Sequence, residues 1–255
     1  MKTLTYALSL SLAVVMTERA FAQEPGIIDP VRPTAAEVYL CTFNAGKSMT
    51  DLDQAMQAWR AAADEGRFNG LTFQLTPRYG NPPLDLIWVS YIPFSEAAET
   101  AEWWDANGQD ARAGIFEVVS CQTSLNTSFL RYANDVQDDD RMLVSWDWCT
   151  RLEGVTRAAL RSRHQQFVNR LSESNARMAY TIMFPQAGIR TDARLGEAAH
   201  LNFYPDWAAL VADHESRAQG GWRFYAEYNE NFASCTGENV YDAEVLNRPH
   251  TPWFQ

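Results

Sequence analysis

The chain has few of the short signatures that announce a chemistry. Its 255 residues contain no Gly-rich phosphate loop, Gly-x-Ser-x-Gly elbow, His-x-x-x-His pair or Asp-rich calcium loop. Those absences remove the usual motifs for nucleotide phosphates, serine acyl transfer, helical zinc sites and loop-bound calcium. There are four cysteines, none in a Cys-x-x-Cys knuckle, so a four-thiolate metal site lacks its ordinary spacing. No basic stripe offsets the formal charge of −11. An acidic chain repels phosphate backbones, which excludes nucleic acid as a partner. Beyond the N-terminus no apolar run is long enough to cross a bilayer.

At the start of the chain, Lys2 precedes an apolar run from Leu4 to Met16, and Ala20-Phe21-Ala22 offers a small-x-small cleavage site. Residues 1–22 are therefore expected to be a secretory signal. Glu18 and Arg19 are unusual so close to such a site, and they leave an uncleaved anchor as the alternative. No lipobox cysteine lies nearby. Cleavage would leave a soluble chain with no membrane association, periplasmic or secreted, in a compartment that favours disulfides. Nine Trp, ten Tyr and thirteen Phe supply ample core material and enough aromatic surface to line a pocket.

The most informative pattern is internal. With Cys41 laid over Cys149, an offset of 108 continues without a gap. It matches Gly46 with Gly154, Leu52 with Leu160, Gln57 with Gln165, and Pro77-x-x-Gly80 with Pro185-x-x-Gly188. The offset grows to 112 where Tyr91-Ile-Pro93 meets Phe203-Tyr-Pro205, and to 114 where Ser120-Cys121 meets Ser234-Cys235. A slowly rising offset is what loop insertions produce in a duplicated unit.

Each copy shows the same order of elements. A strand ends near the first cysteine (Val38 to Phe43; Met142 to Cys149). A helix follows, with apolar stripes at Leu52, Ala55, Met56, Trp59 and Ala63, and at Leu160, His164, Phe167, Val168 and Leu171. A second strand (Leu71 to Thr76; Ala179 to Phe184) closes at the Pro-x-x-Gly turn. A third (Leu86 to Ile92; Ala198 to Tyr204) stops at a proline. A second helix, Ser95 to Asn107 and Asp206 to Arg217, starts at good N-cap residues. A last strand passes through the second cysteine. The expected division is 1–22 signal, 23–35 extension, 36–133 first unit, 134–140 linker, 141–246 second unit and 247–255 tail.

The order β-α-β-β-α-β, twice, is the ferredoxin-like plan, an α+β fold. Two such units in tandem resemble the dimeric α/β-barrel superfamily in its single-chain duplicated form. The resemblance rests on element order over Glu37 to Val245. It implies two sheets packed face to face, helices outside, around a cavity. In such a sheet the first and last strands of a unit are neighbours. Of the three pairings four cysteines allow, this favours Cys41–Cys121 and Cys149–Cys235.

Alternation along the first and third strands separates two faces. Val38, Leu40, Val144, Trp146 and Trp148, with Ile87, Val89, Tyr91, Ala199, Leu201 and Phe203, are expected to meet the helices. The mixed face is expected to point into the cavity. It carries Glu37, Tyr39, Trp88 and Ser90 in the first unit, and Asp147, His200, Asn202 and Tyr204 in the second. Asp147 beside His200 would fix the imidazole tautomer and raise its basicity, as a general base requires. Tyr204 and Asn202 would orient a substrate oxygen, with Trp88, Ser90, Tyr39 and Glu37 contacting the ligand. The plainer reading is a satisfied polar network without chemistry, and a one-residue slip of register would turn His200 and Asp147 outward.

His164 reads as a packing residue, although haem-binding proteins that resemble this fold use helix histidines as iron ligands. His214 sits where a positive group suits a helix C-terminus. Trp103 and Trp104 cannot both face one sheet, so one lies at an edge, while Trp207 is expected in the core. Two functional classes follow. One is a cofactor-independent oxygenase, cyclase or isomerase acting on a small hydrophobic, oxygen-bearing compound. The other is a non-catalytic small-ligand-binding or structural domain. No cofactor is expected, with haem as the alternative, and both monomer and homo-oligomer stay open.

Overall fold

The computed structural model describes residues 33–66, 68–80, 82–136, 140–188 and 197–249. The expected signal segment, nearly all of the extension, most of the tail and part of the linker lie outside the described residues. In chain order the elements are β1 (Thr34–Phe43), α1 (Met49–Glu65), β2 (Leu71–Tyr79), β3 (Leu86–Pro93), α2 (Phe94–Asn107), α3 (Gln109–Phe116), β4 (Val119–Asn134), β5 (Arg141–Arg151), α4 (Arg157–Glu173), β6 (Met178–Ala187), β7 (Ala198–Tyr204), α5 (Trp207–Ser216), α6 (Trp222–Asn231), β8 (Ala233–Cys235) and β9 (Asn239–Asn247). A π-type turn, Arg217–Gly221, joins α5 to α6.

Local chemistry explains the boundaries. Ser48 and Asp51 form a capping box at α1, and the side chains of Thr156 and Asp206 accept from Ala159 N and Ala209 N at the starts of α4 and α5. Helix α2 starts directly after Pro93 rather than at Ser95, since proline ends the ladder and its fixed φ suits a helix entry. Strands β2 and β6 run through Pro77 and Pro185, with register irregularities beside both prolines. Gly80 and Gly188 end these strands at φ of 101° and 76°, a backbone that a side chain disfavours.

The strands lie in the order β7-β6-β4-β1-β3-β2-β9-β5, and a β5–β7 pairing joins the ends. All pairings are antiparallel. The result is one closed eight-stranded antiparallel barrel in a mixed α+β fold, with β8 as a short spur on β5. The expected barrel forms, with its two face-to-face sheets joined into one closed sheet. Strands β4 and β2 each continue pairing across to the other half, with β6 and β9. Closure removes the edges that two open sheets would leave.

The facing of the strands is also the reverse of the expectation. Ala36, Val38, Phe73, Leu75, Ile87, Val89, Tyr91, Val144, Trp146, Met183, Ala199, Leu201 and Phe203 form one buried cluster with residues from every side of the barrel. They fill its interior. Tyr39 and Trp88 pack outward with Leu52 and Met56 of α1. Tyr180 and Tyr204 pack outward with Val168 and Leu171 of α4 and Leu210 of α5. In a closed barrel both faces of each strand are covered, one by the opposite wall and one by helices. Dense apolar filling is then required inside, while the outer layer tolerates polar groups that pair with helix side chains.

Both disulfides form as expected, Cys41–Cys121 and Cys149–Cys235, each between strand neighbours in register. The first helix of each half lies where its stripe placed it. Helices α3 and α6 were not anticipated, and the last strand of the second half is split into β8 and β9. Trp104 is buried and stacks on Trp59 at 5.9 Å, leaving Trp103 nearer the surface. Trp207 is 40% exposed against Tyr79 and Arg78, so its expected core role is corrected. Among the described residues, no helix is long and apolar enough to cross a membrane.

Candidate functional site

The mixed face lies under the helices, and its members are distributed into separate pairs. In the first half Trp88 Nε1 donates to Gln74 Oε1 at 3.0 Å, Ser90 and Thr72 hydroxyls meet at 2.9 Å, and Tyr39 donates to Glu37 at 3.1 Å. Burial is the main reason the Tyr39 hydroxyl is held well above its ordinary pKa. These groups satisfy one another in pairs, and the pairs adjoin across the ladders, with the Tyr39 and Trp88 rings 6.5 Å apart.

In the second half Asp147 and His200 are opposite each other in the β5–β7 ladder, as the register suggested. They are not partners. Asp147 accepts from Thr236 Oγ1 at 3.0 Å, and burial raises its pKa against that hydrogen bond. The expected Asp–His dyad is therefore corrected: β8 leads Thr236 onto the carboxylate. Tyr204 donates to Asp213 at 2.8 Å, within a cluster where Arg217 grips Asp213 and Glu238. Asn202 donates to Ser145 at 3.0 Å. Both Tyr204 and Asn202 are engaged with these other partners, although Asn202 is the ladder neighbour of Tyr180. Asp147, Cys149 and Cys235 bring ligand-type atoms within 4.8 Å, but both sulfurs are spent in a disulfide, and only thiolates ligate strongly.

His200 instead joins a cluster that the sequence pattern did not assemble. Its Nδ1 lies 2.6 Å from the Tyr180 hydroxyl and its Nε2 3.1 Å from the Tyr228 hydroxyl. The same Tyr228 oxygen lies 3.0 Å from Nε2 of His164. The two imidazoles meet edge to face, with ring centres 5.0 Å apart. Phe167 packs against Tyr180, Phe224 and Tyr225 at 4.9, 5.9 and 6.0 Å. Arg163 clamps α6 onto α4, its guanidinium 3.5 Å above the Phe224 ring and 2.8 Å from Glu227. Arg131, paired with Gln165, supplies a positive charge near Tyr180 and His164. Tyr228 was missed because its helix was missed, yet Phe224, Tyr228 and Phe232 recur at helical spacing.

Burial pushes His200 down from 6.5 to about 4, and burial, His200 and Arg131 together hold His164 lower still. Both rings are neutral near pH 7, which is the form that can ligate a metal. The sign of the linkage follows. Below pH 6.5 the unfolded histidine takes a proton that folded His200 refuses until about pH 4. Stability is thus lost as pH falls through that window, on the order of 2 kcal/mol for a ring that keeps some solvent access. Urea midpoints measured from pH 7 to pH 4 should fall, and should fall less in H200Q.

The closed antiparallel barrel with helices outside is the kind of fold that the resemblance implied. No protein-family model matches the chain, and no curated protein matches its sequence. Solved structures do match, and they are chlorite dismutase-like and monooxygenase-like barrels. A haem-binding protein from Thermus thermophilus is 10% identical, with a TM-score of 0.53 over 86% of this chain and 93% of that one. A candidate monooxygenase from Fusobacterium nucleatum is 10% identical, with a TM-score of 0.55 over 86% and 94%. A mutant chlorite dismutase from Candidatus Nitrospira defluvii, in complex with cyanide, is 8% identical, with a TM-score of 0.53 over 84% and 91%. These likenesses define the fold. They also overturn the expectation of a cofactor-free barrel, since one protein of this fold is described as haem-binding.

Proposed function

We propose that the chain is an exported haem-binding protein, with its site between the barrel and α4 in the second half and His164 as the iron ligand. The observation that carries this reading is a buried, neutral imidazole in an aromatic-walled layer. The haem-binding protein of the same fold supports it. The donor set fits: among the described residues His164 Nε2 is engaged by an exchangeable hydroxyl, Phe167 offers an apolar face, and Arg131 offers a cation for an acidic substituent. The space fits only if α6 yields, because Phe224, Tyr225 and Tyr228 occupy it. Helix α6 has no fully buried residue and hangs from Gly220, at φ of 125°, a natural place for such movement. Bound haem would supply redox or oxygen-related chemistry. The protein's own part is to present a neutral nitrogen and to exclude water with aromatic side chains.

The same reading takes the chain as two fused ferredoxin-like units, 36–133 and 141–246, behind a cleaved signal at 1–22. The matching strand orders β4-β1-β3-β2 and β9-β5-β7-β6 and the two equivalent disulfides support it. Export is supported by the disulfides, which persist in oxidising compartments. Adding haemin to the signal-free protein should produce a shifted Soret band that H164A loses. An unchanged haemin spectrum with the wild-type chain, or undiminished binding by H164A, overturns the reading.

A second reading, a binding or structural domain without chemistry, is favoured by how completely aromatic rings fill the helix layer. Native mass spectrometry of protein purified from its own host separates the two. Retained haem supports the first, and another retained molecule supports the second.

A further inference from the structure

We infer that Tyr180, His200, Tyr228 and His164 form a hydrogen-bond chain of one fixed direction, in which the unprotonated Nε2 of His164 is the last acceptor. For its use this rests on the reading of His164 as a ligand. For its test it does not.

Each link has two conceivable polarities, and the geometry selects one set. The Tyr180–His200 contact is 2.6 Å, in the range of a donating hydroxyl and short for a ring N–H donor. Tyr180 is therefore the donor and His200 Nδ1 the acceptor. A neutral imidazole has one N–H and one lone pair, so His200 must carry its proton on Nε2. That proton points at the Tyr228 oxygen, 3.1 Å away, an ordinary N–H···O length. Tyr228, accepting there, has its single hydrogen left for His164 Nε2 at 3.0 Å. His164 then carries its own proton on Nδ1.

The surroundings agree with this direction. The positive charge of Arg131 lowers the Tyr180 pKa against the rise caused by burial. A nearby cation turns the phenol lone pairs toward itself and the hydrogen away, toward His200. The opposite polarity would put a proton on His164 Nε2 and block any Lewis acid there. In the direction assigned here, a metal centre needs to displace only a hydroxyl hydrogen from that nitrogen. Tyr180, His200 and Tyr228 are thus positioning residues. They act through His164 by fixing its tautomer in the ligand-free protein, and the Tyr228 hydrogen bond is the one that a metal centre at Nε2 would replace.

The test uses the ligand-free, signal-free protein with 15N-labelled histidine and long-range 1H–15N spectra at neutral pH. H214Q and H250Q remove the other two histidines for assignment. His164 is expected as the Nδ1–H tautomer and His200 as the Nε2–H tautomer. Y180F should shift both residues toward a mixture of tautomers, and Y228F should shift His164 alone. Y39F, in the other half of the barrel, should shift neither. The opposite tautomers in wild type, a doubly protonated ring, or tautomers unmoved by both Y180F and Y228F would overturn the inference. Should Y180F fail to fold, Y228F still reads the last link. Haem plays no part in the measurement, so a failed haemin titration and a failed tautomer assignment are separate results.

Discussion

Trp146→Ala is expected to destabilise the protein by about 3–5 kcal/mol, the usual cost of emptying a large aromatic site in a packed core. Its side chain is 2% exposed and belongs to the cluster that fills the barrel. The opposite wall is built from other strands that are hydrogen-bonded into a closed ring, so it cannot collapse far into the void. The next residue makes the comparison sharp. Asp147→Ala, on the outer face, removes a carboxylate that burial already disfavours in its charged form. It should cost much less than Trp146→Ala. Urea denaturation of the two variants reads the difference directly. A larger loss at Asp147 than at Trp146 would mean that the strands face the other way.

Removal of the disulfides comes next in size. Each bridge spans a long stretch of chain, with sequence separations of 80 and 86. Closing such a loop restricts the unfolded ensemble by about 4 kcal/mol in the chain-entropy model. Since a domain's whole stability is about 5–15 kcal/mol, C41A/C121A and C149A/C235A should each lower the denaturation midpoint strongly. Their combination should leave little folded protein at 37 °C. A quadruple variant that melts like the wild type would show that the unfolded chain gains little freedom from losing its bridges.

The elements visible in the sequence were those with a local signature. Leu52, Met56 and Ala63 recur at helical spacing and are buried on α1, and the paired cysteines marked strands that are neighbours. The direction each strand faces left no such mark. Val38 and Cys41 belong to opposite faces of β1, yet both are fully buried, so hydrophobicity could not separate barrel from helix layer. His200 was found by its place on the mixed strand face, but its partners were not. The register that sets Asp147 beside it fixes Cα positions, while Thr236 captures the carboxylate. Tyr228 comes from a helix that begins after Gly220-Gly221, a dipeptide that reads as the end of structure, although here it joins two helices.

Closure of the barrel carries a consequence for the integrity of the chain. The halves share two long hydrogen-bonded seams, β4 with β6 and β2 with β9, and neither half can satisfy its outermost strands alone. Severing the backbone between β4 and β5 should therefore yield two fragments that stay together. Each would act as an obligate template for the other when both are produced in one cell.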